Sequence, residues 1–180
     1  NRNKKSLALD ADSAEGRKVL ETLLKSADVM IENFAPGSMS KRGLGPEHLE
    51  KINPRLVYCA LKGFLPGPYE KRPALDEVVQ MMGGLAYMTG PSGRPLRAGT
   101  SVIDVTGGMF GVIAILGALH QLKSTGQGQY VQSGLFENNA FLMGQHMTEG
   151  FMTGKPVPPM PEPELVPAMM LIVPVGAIDV

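Results

Sequence analysis

The sequence predicts an α/β fold in which a parallel sheet is flanked by helices. Two observations carry this. Short apolar strands alternate with helical segments along most of the chain, the pattern that places helices against a sheet. The run Leu56-Val57-Tyr58-Cys59-Ala60-Leu61 is apolar throughout rather than alternating, as expected of a strand covered on both faces.

The elements follow in order. Ser6-Leu7-Ala8-Leu9-Asp10 reads as a short strand ending in a turn. Ser13 then caps a helix whose apolar positions Val19, Leu20, Leu23 and Leu24 recur at helical spacing. Asp28 to Asn33 is a mostly apolar strand, which completes a strand-helix-strand unit and implies a parallel pairing. Pro46 to Asn53 is a short helix with proline at a favoured first position. The Leu56–Leu61 strand comes next. Pro73 to Met88 is helical, with a break at Gly83-Gly84, and Thr100 to Ile103 is extended. Asp104 to Lys123 is a long apolar helix, Thr125 to Gly128 a turn, Gln129 to Ser133 a strand and Leu135 to Met152 a helix. The proline-rich stretch after Gly154 reads as an irregular crossing or linker. The chain opens on Asn1-Arg2-Asn3-Lys4-Lys5 and runs directly into the first strand, so both ends read as the interior of a longer fold.

Composition narrows the function. In 180 residues, 17 basic side chains balance 17 acidic ones, which leaves no basic field for nucleic acid. No apolar run is read as a bilayer span, and no signal peptide is visible. Cys59 is the single cysteine, which excludes an internal disulfide and suits a reducing cytoplasm. The three histidines lie far apart, so no metal site is expected.

Among the residues able to carry chemistry, Asp104 comes first. It stands between an extended segment and a helix, with Gly107-Gly108 close behind. It can be an N-cap accepting backbone N–H bonds. It can at the same time be a nucleophile, held ionised by the positive end of the helix dipole, with glycines that let a ligand approach the backbone. Asn33-Phe34-Ala35-Pro36-Gly37 follows a strand, where α/β sheets bind ligands, and also has the composition of a plain turn. Lys62, at the next strand end, can meet a phosphate or simply be a solvated loop lysine. Asp76 and Glu77 open a helix, as the dipole alone would favour. The glycine pairs match neither a P-loop nor a dinucleotide fingerprint.

Taken in series, these landmarks resemble the class III CoA-transferase family, also called CaiB/BaiF or formyl-CoA transferase-like. The matching segments are Asn1 to Ser6 leading to Leu9-Asp10, Ala27 to Gly37, Asn53-Pro54-Arg55, Lys62-Gly63-Phe64, and Asp76 with Gln80 and Gly83-Gly84. Asp104 with Gly107-Gly108, and Lys123 to Gln129, complete the series over about residues 1 to 150.

The resemblance implies a fragment of the Rossmann-like large domain of an interlocked-dimer enzyme. Residues 1–154 would belong to that domain, without its N-terminal strand region, and 155–180 would lead toward the small domain. It implies that Asp104 attacks an acyl-CoA thioester and passes CoA to a carboxylic acid through aspartyl anhydride and aspartyl-CoA thioester intermediates. Coenzyme A is then a substrate, and no other cofactor is expected. A small dicarboxylic acyl donor such as succinyl-CoA fits the family's habit. The family's CoA contacts fall on Leu9, Asp10, Ala11 and Asp12, on Asn33, Phe34 and Ala35, on Lys41, and on Ala74, Leu75 and Asp76. Lys41 stands where the family often has arginine, which makes that contact a point charge rather than a fork. The alternative within the fold is a 2-methylacyl-CoA racemase, but Leu75 occupies the position of the racemases' histidine and cannot act as a base. Formyl-CoA transferases carry tyrosine there, which argues against oxalate specificity. The expected assembly is a cytoplasmic homodimer acting on acyl-CoA and a small carboxylic acid, with no nucleic-acid or membrane partner.

Overall fold

A computed structural model describes residues 2–159. Among the described residues, seven helices and three strands run in the order α1 (Ala14–Leu24), β1 (Val29–Glu32), α2 (Ser38–Lys41), α3 (Pro46–Ile52), β2 (Val57–Lys62), α4 (Asp76–Met82), α5 (Leu85–Thr89), α6 (Val102–Thr125), β3 (Tyr130–Gly134) and α7 (Leu135–Thr153). The strands form one parallel sheet in the order β1-β2-β3. Register pairs Glu32 with Ala60 and Lys62 with Gly134, so all three strands end along one rim.

β2 is the central strand and shows why its sequence does not alternate. Tyr58 and Ala60 pack with Leu49, Leu44 and Met39 on the face covered by α1 and α3. Val57 and Cys59 face Ile115 and Ala118 of α6 on the other side. Both faces are dry, so every position from 57 to 60 must be apolar or able to satisfy its own polar atom. α6 lies close against the sheet because it has glycine where it touches. A Cβ on Gly111 would stand 2.9 Å from Leu61 Cδ2, and one on Gly107 would stand 2.9 Å from Leu135 Cδ2.

Several expectations are corrected. Residues 6–10 pair with no strand among the described residues, and Leu7 is exposed. Apolar content at that point therefore marks a segment running over the surface, not a ladder. α1 does begin after Ser13, whose Oγ accepts the Gly16 N–H at 3.0 Å. A short helix, α2, follows the Pro36-Gly37 turn where no element was expected, entered through Gly37 at a φ of 77°. The Pro73–Met88 segment divides into α4 and α5 at Gly83-Gly84, as expected, but α4 starts only at Asp76. α6 starts at Val102, so Thr100–Ile103 is not a separate extended element and Asp104 lies inside the first helical turn. By length and apolarity α6 also suits a membrane span, contrary to the sequence expectation. Its Ile103, Gly107, Gly111, Ile115, Ala118 and Leu122 stripe is buried, whereas Val105, Met109, Val112, Ile113 and Leu116 are exposed. The proline-rich linker lies, from residue 160 onward, outside the described residues.

Candidate active site

The three strand ends, the start of α4 and the start of α6 enclose a cavity of about 460 Å3. Asn33 follows β1, Lys62 and Gly63 end β2, and Ser133 stands near the end of β3. Ala74, Leu75 and Asp76 arrive with α4, and Asp104, Gly107 and Gly108 with α6. Parallel sheets leave such a crevice at their carboxyl ends because the crossovers depart there.

The geometry removes the capping alternative for Asp104. Asp76 Oδ2 accepts the backbone N–H groups of Ile103 at 2.8 Å and of Asp104 at 3.1 Å. The start of α6 is thus capped from α4, by a carboxylate that is only 3% exposed. Among the described residues the Asp104 carboxylate accepts no hydrogen bond, and the residue is exposed. Its electrostatics also differ from the expectation. Partial burial of the carboxyl, and then the negative charges of Asp76 and Glu77, raise Asp104 above the ordinary carboxylate range. The helix dipole does not prevail because Asp76 already sits on the free N–H groups.

Asp76 is oriented in turn. Gln80 Nε2 donates to Asp76 Oδ1, while Gln80 Oε1 accepts the Ala98 N–H at 2.7 Å. Each donor and acceptor in this relay has one possible direction. On the opposite wall, Ser133 Oγ donates to the Gly107 carbonyl at 2.9 Å and accepts from Asn138 Nδ2 at 3.0 Å, tying α6 to β3 and α7. The two glycines after Asp104 face different surroundings. Gly107 is buried against Leu135, whereas a Cβ on Gly108 would meet nothing within 4 Å.

The other residues expected in the site are distributed around it. Asn33, Ala74, Leu75 and Asp76 share the cavity with Asp104. Leu9, Ala11, Asp12 and Phe34 line a neighbouring groove of about 510 Å3 beside β1. Lys41 lines a third, of about 550 Å3, together with Lys62. Asp10 shapes its own turn, accepting the Asp12 N–H at 3.0 Å, and the Ala35 carbonyl accepts Ser38 N–H at the entry to α2.

Lys62 is not the solvated loop lysine of one of its two sequence alternatives. It is the last residue of β2 and its ammonium lies 2.6 Å from Glu32 Oε1, with the Glu32 side chain 3% exposed. Arg42 was also missed. It pairs with Asp12 at 2.7 Å and lies over the Phe34 ring at 5.6 Å, joining two expected contact segments. Ser133 and Asn138 left no local signal, since single polar residues on a helix or strand read the same whether solvated or wired into a network, and Gln80 was singled out only through the resemblance.

The comparisons with known proteins agree with this architecture. The succinyl-CoA–L-malate CoA-transferase beta subunit of Chloroflexus aurantiacus is 41% identical over 140 residues, covering 76% of this chain and 35% of that protein. A formyl-CoA:oxalate CoA-transferase of Afipia carboxidovorans is 42% identical over 132 residues, covering 73% and 31% respectively. The crystal structure of a CAIB/BAIF family protein from Brucella suis superposes with a TM-score of 0.85 at 38% identity, covering 89% of this chain and 43% of that one. The chain thus spans about a third of the length of these curated relatives. The family model described as CoA-transferase family III matches residues 1–171, and the chain belongs to that family.

Proposed function

We propose that this chain carries the nucleophile and part of the CoA-binding surface of an acyl-CoA:carboxylate CoA-transferase. The observation that carries the reading is Asp104. Its carboxylate is exposed at a cavity formed by three strand ends, while the neighbouring carboxylate performs the capping it would otherwise do.

The chemistry balances without a proton donor. One Asp104 oxygen attacks the thioester carbonyl of the donor. The C–S bond breaks, CoA leaves as thiolate, and a mixed anhydride joins Asp104 to the acyl group. The thiolate then attacks Cγ of Asp104, releasing the donor acid as its carboxylate and leaving an aspartyl-CoA thioester. The acceptor carboxylate attacks that thioester and again expels thiolate. The thiolate takes the acceptor's acyl group and returns Asp104 to its ionised form. A carboxylate suits both roles, as nucleophile and as leaving group. The raised proton affinity of Asp104 makes its carboxylate a stronger nucleophile than that of an ordinary aspartate.

Asn33, Phe34, Ala35, Lys41, Leu9 to Asp12, and Ala74 to Asp76 supply the CoA contacts in this reading. The contribution of Asp76 comes through backbone and shape, because its carboxylate is committed to α6. A small dicarboxylic donor such as succinyl-CoA is the favoured substrate, in keeping with the name of the Chloroflexus aurantiacus relative. Leu75 is 64% exposed and lines the cavity, placing hydrocarbon where a racemase needs a proton acceptor. An interlocked cytoplasmic homodimer completes the reading. A partner chain is supported by outward-facing Val105, Met109, Val112, Ile113 and Leu116 on α6, apolar side chains that it would cover.

The test incubates the complete protein with succinyl-CoA and a panel of carboxylic acids. Mass spectrometry should reveal new acyl-CoA species and a CoA adduct on Asp104, both lost in Asp104→Asn. If no acid accepts CoA, or if deuterium enters the donor α-carbon without any acceptor, the transferase reading is wrong.

A further inference from the structure

We infer that the Lys62–Glu32 ion pair is a positioning device that fixes the Asn33-Phe34 turn for binding of the acyl-CoA donor, an inference that rests on the transferase reading above.

The two side chains occupy a wall common to three cavities. Glu32 lines the groove beside β1, and Lys62 lines both the Asp104 cavity and the one containing Lys41. Both groups are withdrawn from water, with side-chain exposures of 12% for Lys62 and 3% for Glu32. The Lys62 ammonium lies 2.6 Å from Glu32 Oε1 and donates to Glu32 Oε2 at 2.9 Å. The pair does not close on itself. Lys62 Nζ also donates to the Phe34 carbonyl at 2.8 Å, and Glu32 Oε2 accepts the Phe34 N–H at 2.7 Å. Tyr58 donates a longer bond to Glu32 Oε1, at 3.4 Å. Both backbone polar groups of Phe34 are therefore held by charged atoms anchored in the ends of β1 and β2.

That arrangement has a directional consequence. Asn33 opens onto the Asp104 cavity and Phe34 onto the neighbouring groove, so the turn sends consecutive side chains into two different spaces. Such a division requires a fixed backbone, and a turn entered from a strand end has no ladder to fix it. Charge-assisted bonds in a dry wall are stronger than the backbone bonds of an ordinary turn. A buried pair need not add net stability relative to an apolar replacement. Its value here is the conformation it specifies.

Glu32→Met, Lys62→Met and the double variant test this in the complete enzyme. Each single variant leaves one charge uncompensated, and the double variant removes both. Binding of free CoA by calorimetry and steady-state transfer kinetics are measured together with thermal unfolding. A positioning role predicts that the KM for the acyl-CoA donor and the Kd for CoA rise about tenfold or more, with kcat and the KM for the acceptor acid changing by about threefold or less. The double variant should recover the melting temperature lost in the single variants but not the affinity, because the bonds to Phe34 remain missing. Recovery of affinity with melting temperature in the double variant would show a purely structural pair and overturn the inference. So would unchanged donor KM in well-folded variants of an active enzyme. Absence of transfer by the unmodified enzyme would instead defeat the underlying reading.

Discussion

Removing the Asp76 carboxylate should be felt at two levels, stability and the proton affinity of Asp104. Asp76→Ala strips the acceptor from the Ile103 and Asp104 N–H groups at the start of α6 and from Gln80 Nε2. Loss of a helix cap costs about 0.5–2 kcal/mol, and each buried polar group left unpaired costs about 1–3 kcal/mol. Partial hydration through the adjoining cavity relieves some of this, so a net loss of about 2–4 kcal/mol is expected. Asp76→Asn is the finer probe. Its amide oxygen can still cap α6, but its NH2 must then face the NH2 of Gln80, which cannot turn over without losing the Ala98 bond. The expected loss is about 1–2 kcal/mol. Removing the negative charge also lowers the proton affinity of Asp104, so the acidic limb of the kcat/KM profile should move to lower pH. Urea denaturation of the complete protein and pH–rate profiles read the two effects separately. An Asp76→Ala variant within about 0.5 kcal/mol of the parent would show that the cap is dispensable. An unmoved acidic limb in Asp76→Asn would refute the electrostatic coupling.

Gly108→Ala should raise helix stability by about 0.5–1 kcal/mol in thermal unfolding, since the new methyl meets no protein atom, yet weaken donor binding by intruding on the cavity. Gly63→Ala would bring a Cβ to 2.5 Å from Ala74 Cβ, displacing the segment that delivers Leu75 and Asp76, and should cost about 1–3 kcal/mol in urea unfolding. Asp104→Asn should be at least as stable as the parent at pH 7. The folded state holds the Asp104 proton more tightly than the unfolded chain does, so ionisation disfavours folding as pH rises from the ordinary carboxylate range through the raised value. The difference between the two proteins should vanish below that range, and a variant less stable at neutral pH would contradict the sign.

The sheet strands and the longer helices were legible because their patterns are local. The uninterrupted apolar run at β2 announced burial on both faces, and Ser13 announced the start of α1. The Ser6–Asp10 segment failed because apolar content cannot reveal whether a neighbouring strand is present to pair with. Asp104 was singled out correctly as a residue at a helix start, but which carboxylate caps that helix could not be read from its neighbours. The answer lies 28 residues earlier, in Asp76. The ion pair of Lys62 was hidden for the same reason, since its partner Glu32 is 30 residues away and comes alongside only when β1 and β2 pair. Periodicity exposes what one element buries, and long-range polar partners emerge only from the tertiary arrangement.

β2 sends even-numbered side chains to one layer and odd-numbered ones to the other, and Lys62 inherits its side from that parity. Inserting a single residue within the strand would therefore do more than lengthen it. Downstream of the insertion, every side chain would exchange layers, aiming the ammonium at the α6 side and away from Glu32. Length variation along this lineage should accordingly enter through loops, or by pairs of residues, while the parity of the central strand stays fixed.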